Sequence, residues 1–237
     1  MLNIDRWLTT QQTTIILIIA YSLYAILSCF ELFFAFKEKE LPRKIIKPFL
    51  MLTLTFFITL VFPEAFLLYL GCFFGIIGDI FFIFKSNKKF IYLGIIAFAI
   101  NHIFYILFMF HFSLSLMSLD YFFFSLLMLL LAFVTFTLIS YVAIKKILKI
   151  NVGLNIAGSL YSSILILDFS MTILSLCFNH IYMIIAMLGM ILFIISDSIL
   201  SYTLFKKDIK RRDFYIMLTY ILAQGLFTLG CILTIMF

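Results

Sequence analysis

Charge is what this sequence lacks most. Only 12% of its 237 residues are Asp, Glu, Lys or Arg, while 65% are hydrophobic and the mean hydropathy is +1.23. So little charge cannot clothe a water-facing surface, which excludes a soluble globular domain. Proline is also scarce: Pro42, Pro48 and Pro63 are the only three, all expected at helix ends, so no Pro-rich linker divides the chain and one domain is expected over residues 1–237. The four cysteines, Cys29, Cys72, Cys177 and Cys231, form no C-x-x-C pair and read as inert core residues. A single deep histidine without an H-x-x-x-H partner gives no zinc signature; Asp79, His102 and Asp197 remain a conceivable three-ligand set from separate helices, but no metal or cofactor is expected. The short alternating segments of membrane barrels are missing too.

What the chain does have is long apolar runs. A bilayer core of roughly 30 Å needs about 20 apolar helical residues per crossing. Eight runs of that order occur, over residues 13–36, 45–62, 65–84, 90–111, 119–144, 152–177, 181–205 and 214–236. Helices satisfy every backbone group internally, so the expected class is all-α: a polytopic membrane protein with a bundle of eight transmembrane helices. The first run follows a polar "NIDRWLTTQQ" and is long enough to span, so it reads as a retained helix rather than a cleaved signal.

The net charge of +6 is explained by where the cations lie. Fifteen of the 17 Lys and Arg fall in four clusters, Lys37 to Lys44, Lys85 to Lys89, Lys145 to Lys149 and Lys206 to Arg212, while the intervening loops near Pro63, Ser115 and Asn179 have none. By the positive-inside rule the basic loops face the cytoplasm and both termini lie on the non-cytoplasmic side. The basicity is therefore topological. Anionic membrane lipids, not nucleic acid, are the expected contact. Short loops without appended domains point to a bacterial inner membrane; oligomeric state is not legible.

Two shorter features bear on packing. "GDIFFIFK" and "SDSILSYTLFK", four helices apart, each place a small residue and Asp before an apolar run ending in Phe-Lys, an echo compatible with two parallel four-helix halves although the rest aligns poorly. "GCFFG", with Gly78 beyond it, presents small residues along helix 3 and predicts close packing of that face.

The ionisable groups within the runs are Glu31, Lys47, Asp79, His102, Asp168 and Asp197, with Asn101, Tyr105, Tyr161, Ser196, Tyr220 and Gln224 as polar neighbours. Such groups are expensive in hydrocarbon and usually face a bundle interior or a water-filled cavity. Counted from the basic ends, Lys47 lies roughly 5 Å deep, Asp79 roughly 9 Å and His102 roughly 18 Å, so the set converges in depth on one polar pocket. Asp168, at roughly 24 Å, stands apart and reads as meeting water near the far face. Asn101, Ser196 and Tyr161 suit interhelical hydrogen bonding. Lys47 suits either snorkelling or phosphate binding, and Glu31 an ion pair with a nearby Lys. Asp79 and Asp197 are too short and too deep to snorkel, which favours function. His102 and Tyr105, three apart, share one helix face; Tyr220 and Gln224, four apart, share another.

The ordered series "IKP", "GIIGDIFFIF", "NHIFYILF", "LGMILFIISDSILSYTLF" and "TYILAQGLF" resembles the YhhN family, whose characterised members are lysoplasmalogenases. The resemblance covers nearly the whole chain. It implies hydrolysis of the sn-1 vinyl ether of a lysophospholipid substrate, releasing a fatty aldehyde and glycerophosphoethanolamine or glycerophosphocholine. The matching positions are Lys47, Asp79, His102, Tyr105, Ser196, Asp197, Tyr220 and Gln224, with Tyr161 a looser match.

Vinyl ethers hydrolyse by protonation of the β-carbon, water attack on the oxocarbenium ion and collapse of the hemiacetal. That calls for a carboxylic acid and a carboxylate, and two buried carboxyls in one site can supply both. Asp79 and Asp197 are the natural pair, with His102 orienting water or moving a proton. Tyr105 and Tyr220 are expected to hydrogen-bond the aspartates, and Lys47 with loop cations to hold the phosphate. A proton-coupled transporter or a non-catalytic lipid-binding protein would also keep such groups. An intramembrane aspartyl protease fits less well, because G-I-I-G-D is one residue longer than G-x-G-D and no Pro-Ala-Leu segment is present.

Overall fold

The computed structural model describes residues 8–84, 86–114, 119–177 and 180–237. Lys85, the loop positions near Ser115 and Asn179, and the first seven residues lie outside the described set. All secondary structure among the described residues is helical: α1 Thr10–Phe36, α2 Glu40–Val61, α3 Phe66–Ile83, α4 Lys88–Leu114, α5 Leu119–Leu148, α6 Val152–Cys177, α7 Met183–Phe205 and α8 Arg212–Met236. All eight are long and apolar enough to cross a membrane. The chain is an integral, multi-pass membrane protein.

The main departures from expectation are at the basic ends. Helix α2 begins at Glu40 rather than 45 and α5 runs to Leu148 rather than 144. A helix need not stop where hydrocarbon stops, since lysine and arginine extend it into the headgroup layer. Pro48 consequently lies inside α2, not at its end. It withholds the backbone donor that would reach the Lys44 carbonyl, one turn before the site described below. At the other extreme, α1 starts with a capping box in which Thr9 accepts from the Gln12 amide and the Gln12 side chain accepts from the Thr9 amide.

Seven helices close a ring in the packing order α1, α2, α3, α4, α6, α7, α8 and back to α1, while α5 packs on α6 from outside. No residue of α5 between 126 and 148 is buried, as expected of a helix surrounded largely by lipid. The interior is filled by large side chains such as Phe62, Tyr105, Phe193 and Phe227.

Small residues set the tightest helix pairs. The glycine face of α3 packs on α4, where a Cβ at Gly71 would stand 2.5 Å from the Tyr105 ring and one at Gly78 2.8 Å from Phe98. A second such contact was not singled out in the sequence. A Cβ at Gly189 of α7 would meet the Phe227 backbone nitrogen of α8 at 2.6 Å, and one at Gly230 would meet the Ala186 nitrogen at 2.5 Å. Backbone cannot move aside as a side-chain tip can, so this α7–α8 contact admits only glycine.

Gly189→Ala is therefore expected to destabilise the protein by about 1–3 kcal/mol. Gly158→Ala, whose Cβ would meet only the tip of Ile144 at 3.6 Å, should leave stability unchanged or slightly raised. Thermal melting of the two variants in detergent checks the contrast.

Candidate active site

The interior stripe of α3 runs Leu68, Cys72, Ile76 and Asp79, spaced by three or four residues, so the helix itself turns Asp79 away from lipid. Asp79 is fully buried. Two other helices answer it: Lys47 of α2 places Nζ 3.0 Å from Oδ1, and Tyr220 of α8 donates its hydroxyl to Oδ2 at 2.7 Å. Lys47 also lies 5.7 Å from the Tyr220 ring centroid, which adds a cation–π contact. Lys47 thus turns inward to the acid instead of snorkelling outward.

Asp197 of α7 accepts a hydrogen bond from the Tyr161 hydroxyl of α6. Among the described residues no cation lies within ion-pair distance of it. Asp79 and Asp197 line one narrow chamber of about 50 Å³, together with Lys47, Arg43, Ser196 and Tyr220. That volume has room for a few water molecules. Asp197 and Tyr161 also line a larger, mainly apolar cavity of about 380 Å³, walled by Phe98 of α4, Ile144 of α5, Leu165 of α6 and Ile194 of α7. Asp197 is thus the ionisable group common to a polar chamber and an apolar one.

The rest of the polar set divides. His102 Nδ1 lies 2.6 Å from Oδ2 of Asp168, and both residues are fully buried. Asp168 does not meet water at the far face, as its depth implied. Depth along one helix says nothing of lateral position, and α4 packs directly on α6, so the two groups reach each other across that interface. His102 lines neither cavity; its ring stands edge-on to Phe193 at 4.5 Å and 6.2 Å from the Tyr161 ring. Tyr105 does not hydrogen-bond an aspartate. It donates to Gln224 Oε1 at 3.1 Å and lies 3.3 Å from Cys72 Sγ, tying α4 to α8 and α3. Ser196 donates to the Ile216 carbonyl at 3.1 Å, and Asn101 to the Gly71 carbonyl at 2.7 Å, both interhelical bonds.

Two residues at the chamber mouth were missed in the sequence. Arg43 reaches Glu31 Oε1 at 3.1 Å through Nε and Asp213 Oδ2 at 2.6 Å through Nη1, joining α1, α2 and α8. The partner of Glu31 is thus an arginine and not a lysine. Arg43 and Lys47 are four apart and share a face of α2, a signal hidden as long as Arg43 is counted as loop.

Arg43→Leu leaves the fully buried Glu31 without its cation and is expected to destabilise by about 3–5 kcal/mol, most of which returns in Arg43→Leu/Glu31→Leu. Asp168→Ala, which strips the buried His102 Nδ1 of its partner, should lower stability by about 1–3 kcal/mol. Chemical or thermal unfolding of the solubilised variants measures both.

The YhhN family model matches residues 42–231, most of the chain. No significant match emerges among curated proteins or solved structures. The matched span begins one residue before Arg43 and takes in Lys47, Asp79, His102, Tyr161, Asp197, Tyr220 and Gln224, every described member of the chamber and of the polar contacts around it bar Glu31. On that match the chain belongs to the YhhN family.

Proposed function

We propose that this chain is a lysoplasmalogenase-like ether hydrolase, cleaving the sn-1 vinyl ether of a lysoplasmalogen to a fatty aldehyde and a glycerophospho-alcohol. The observation that carries the reading is the position of Asp197, shared between an apolar cavity of about 380 Å³ and a polar chamber that also holds Asp79. A single alkenyl chain suits the first; the ether oxygen and the attacking water suit the second, with the phosphate beyond it. The bond between chain and glycerol then falls beside the two aspartates. The basic ends face the cytoplasm on the charge bias of the loops.

The roles follow from the partners. Asp197 gives a proton to the β-carbon of the vinyl ether, forming the oxocarbenium ion, while Tyr161 holds its Oδ2 and leaves the second oxygen as the proton carrier. Asp79, ion-paired with Lys47, is the carboxylate: it stabilises the cation, then takes a proton from the attacking water as the new C–O bond forms. The hemiacetal collapses as Asp197 takes its hydroxyl proton and Asp79 passes the proton gained from water to the departing glycerol oxygen, which restores both groups. Lys47 and Tyr220 fix Asp79 in place. His102, held by Asp168 behind Tyr161, is a positioning residue rather than one that touches substrate.

Purified protein in detergent is expected to release aldehyde from lysoplasmenylphosphoethanolamine. Asp79→Asn and Asp197→Asn should each lower kcat by about 10²-fold or more, and Tyr161→Phe by a smaller factor. A folded parent that releases no aldehyde from either common headgroup form would rule out the hydrolase reading. Full activity in the Asp79→Asn/Asp197→Asn variant would rule out the site.

A further inference from the structure

A second polar cleft, of about 460 Å³, opens at the basic end between the α1–α2 turn and the α7–α8 connection. Arg43 lines both this cleft and the aspartate chamber. It sits one helical turn, about 6 Å, from Lys47 along α2, a separation that suits a glycerol unit between a scissile ether at the aspartates and a phosphate outside. Nε and Nη1 of Arg43 engage Glu31 and Asp213, and a guanidinium has five N–H donors, so it can take a phosphate oxygen as well.

The walls carry both signs in equal number. Arg43 and Arg211 are two of four cations, and Glu38 and Asp208 two of four carboxylates. Some of them pair within the wall, Arg43 with Asp213 and Arg212 with Asp208 and Asp213; a lone anion or a lone cation would still meet like charge there, whereas a zwitterion meets both signs. The chemistry of its positive end is restricted too. A primary ammonium offers three N–H donors to carboxylates; a trimethylammonium offers none and is recognised by open aromatic faces. No aromatic side chain among the described residues lines the cleft, and the nearby Phe36 ring is already covered by the Arg211 guanidinium at 4.0 Å.

We propose that this cleft is the headgroup subsite, built for a phosphodiester bearing a primary ammonium, and that it makes the protein prefer phosphoethanolamine lysolipids over their choline and glycerol counterparts. The proposal rests on the lysolipid-binding part of the reading above and not on the hydrolysis.

Binding of saturated lysophosphatidylethanolamine, lysophosphatidylcholine and lysophosphatidylglycerol of one chain length to the solubilised protein tests it, because none has a vinyl ether. At low salt the ethanolamine lipid is expected to bind about two- to fivefold more tightly than either of the others, the size of partly exposed ion pairs, and the preference should shrink in high salt. Glu38→Gln/Asp208→Asn should bring the ethanolamine-to-choline ratio close to one. Free phosphoethanolamine should compete far more weakly than the lipid; equal competition would make the cleft a site for a soluble metabolite instead. Equal affinity for ethanolamine and choline lipids in the parent, tighter binding of the glycerol lipid, or a preference unchanged in the double variant would each overturn the proposal. A retained ethanolamine preference without aldehyde release would sink the hydrolase reading and leave this one standing.

Discussion

A carboxylate surrounded by hydrocarbon must find a donor or a cation, and on an isolated helix there is none to find. That requirement organises the interior of this bundle. Asp79 draws Lys47 from α2 and Tyr220 from α8; Asp197 draws Tyr161 from α6; Asp168 meets His102 from α4; Glu31 meets Arg43, which also reaches Asp213. Each acid thus ties its helix to at least one other. The 126–148 stretch of α5 contains no acid, and it packs on α6 outside the ring.

The packing pattern nearly repeats after four helices. α1 on α2, α2 on α3 and α3 on α4 have counterparts in α5 on α6, α6 on α7 and α7 on α8, whereas the extensive α4–α6 contact is answered by only a slight one of α8 on α2. The α1–α8 contact has no counterpart of comparable extent, and there α5 departs from the ring. The same shift carries Asp79 of α3 to Asp197 of α7, and each accepts from the preceding helix of its own half, Lys47 in one case and Tyr161 in the other. The faint echo of "GDIFFIFK" in "SDSILSYTLFK" therefore has a spatial correlate. Chemically the two halves differ, with a cation opposite one acid and a phenol opposite the other, and in the proposed reaction that difference gives the two aspartates unlike parts.

The cavities are arranged from apolar to polar along the same path. The apolar one is walled by α4, α5, α6 and α7, with lipid-facing α5 closing its outer side; the chamber of Asp79 and Asp197 follows, and the charged cleft lies at the basic end. An amphiphile with one chain matches that gradient end to end. Asp197 and Arg43 stand at the two boundaries, each shared by adjoining spaces.

Sequence alone was enough for the eight helices, because the hydrophobic effect acts on residue counts and about 20 apolar residues in a row leave few alternatives. It was also enough to mark Asp79 and Asp197, since a short acid deep in an apolar run stands out against its own neighbours. Lateral position was beyond it. Depth set Asp168 apart from His102, although the two are partners across α4 and α6, and the face shared with His102 put Tyr105 beside the aspartates, although it donates to Gln224 and lies against Cys72. Arg43 was hidden in a presumed loop until α2 was found to begin at Glu40. Rotation about each helix axis and the choice of neighbouring helix depend on contacts between residues far apart in the chain, such as Gly189 against Phe227 and Lys47 against Asp79. Those contacts exist only once the helices have packed, so the sequence determined the helices and their acids, and the tertiary structure decided which acids share a chamber.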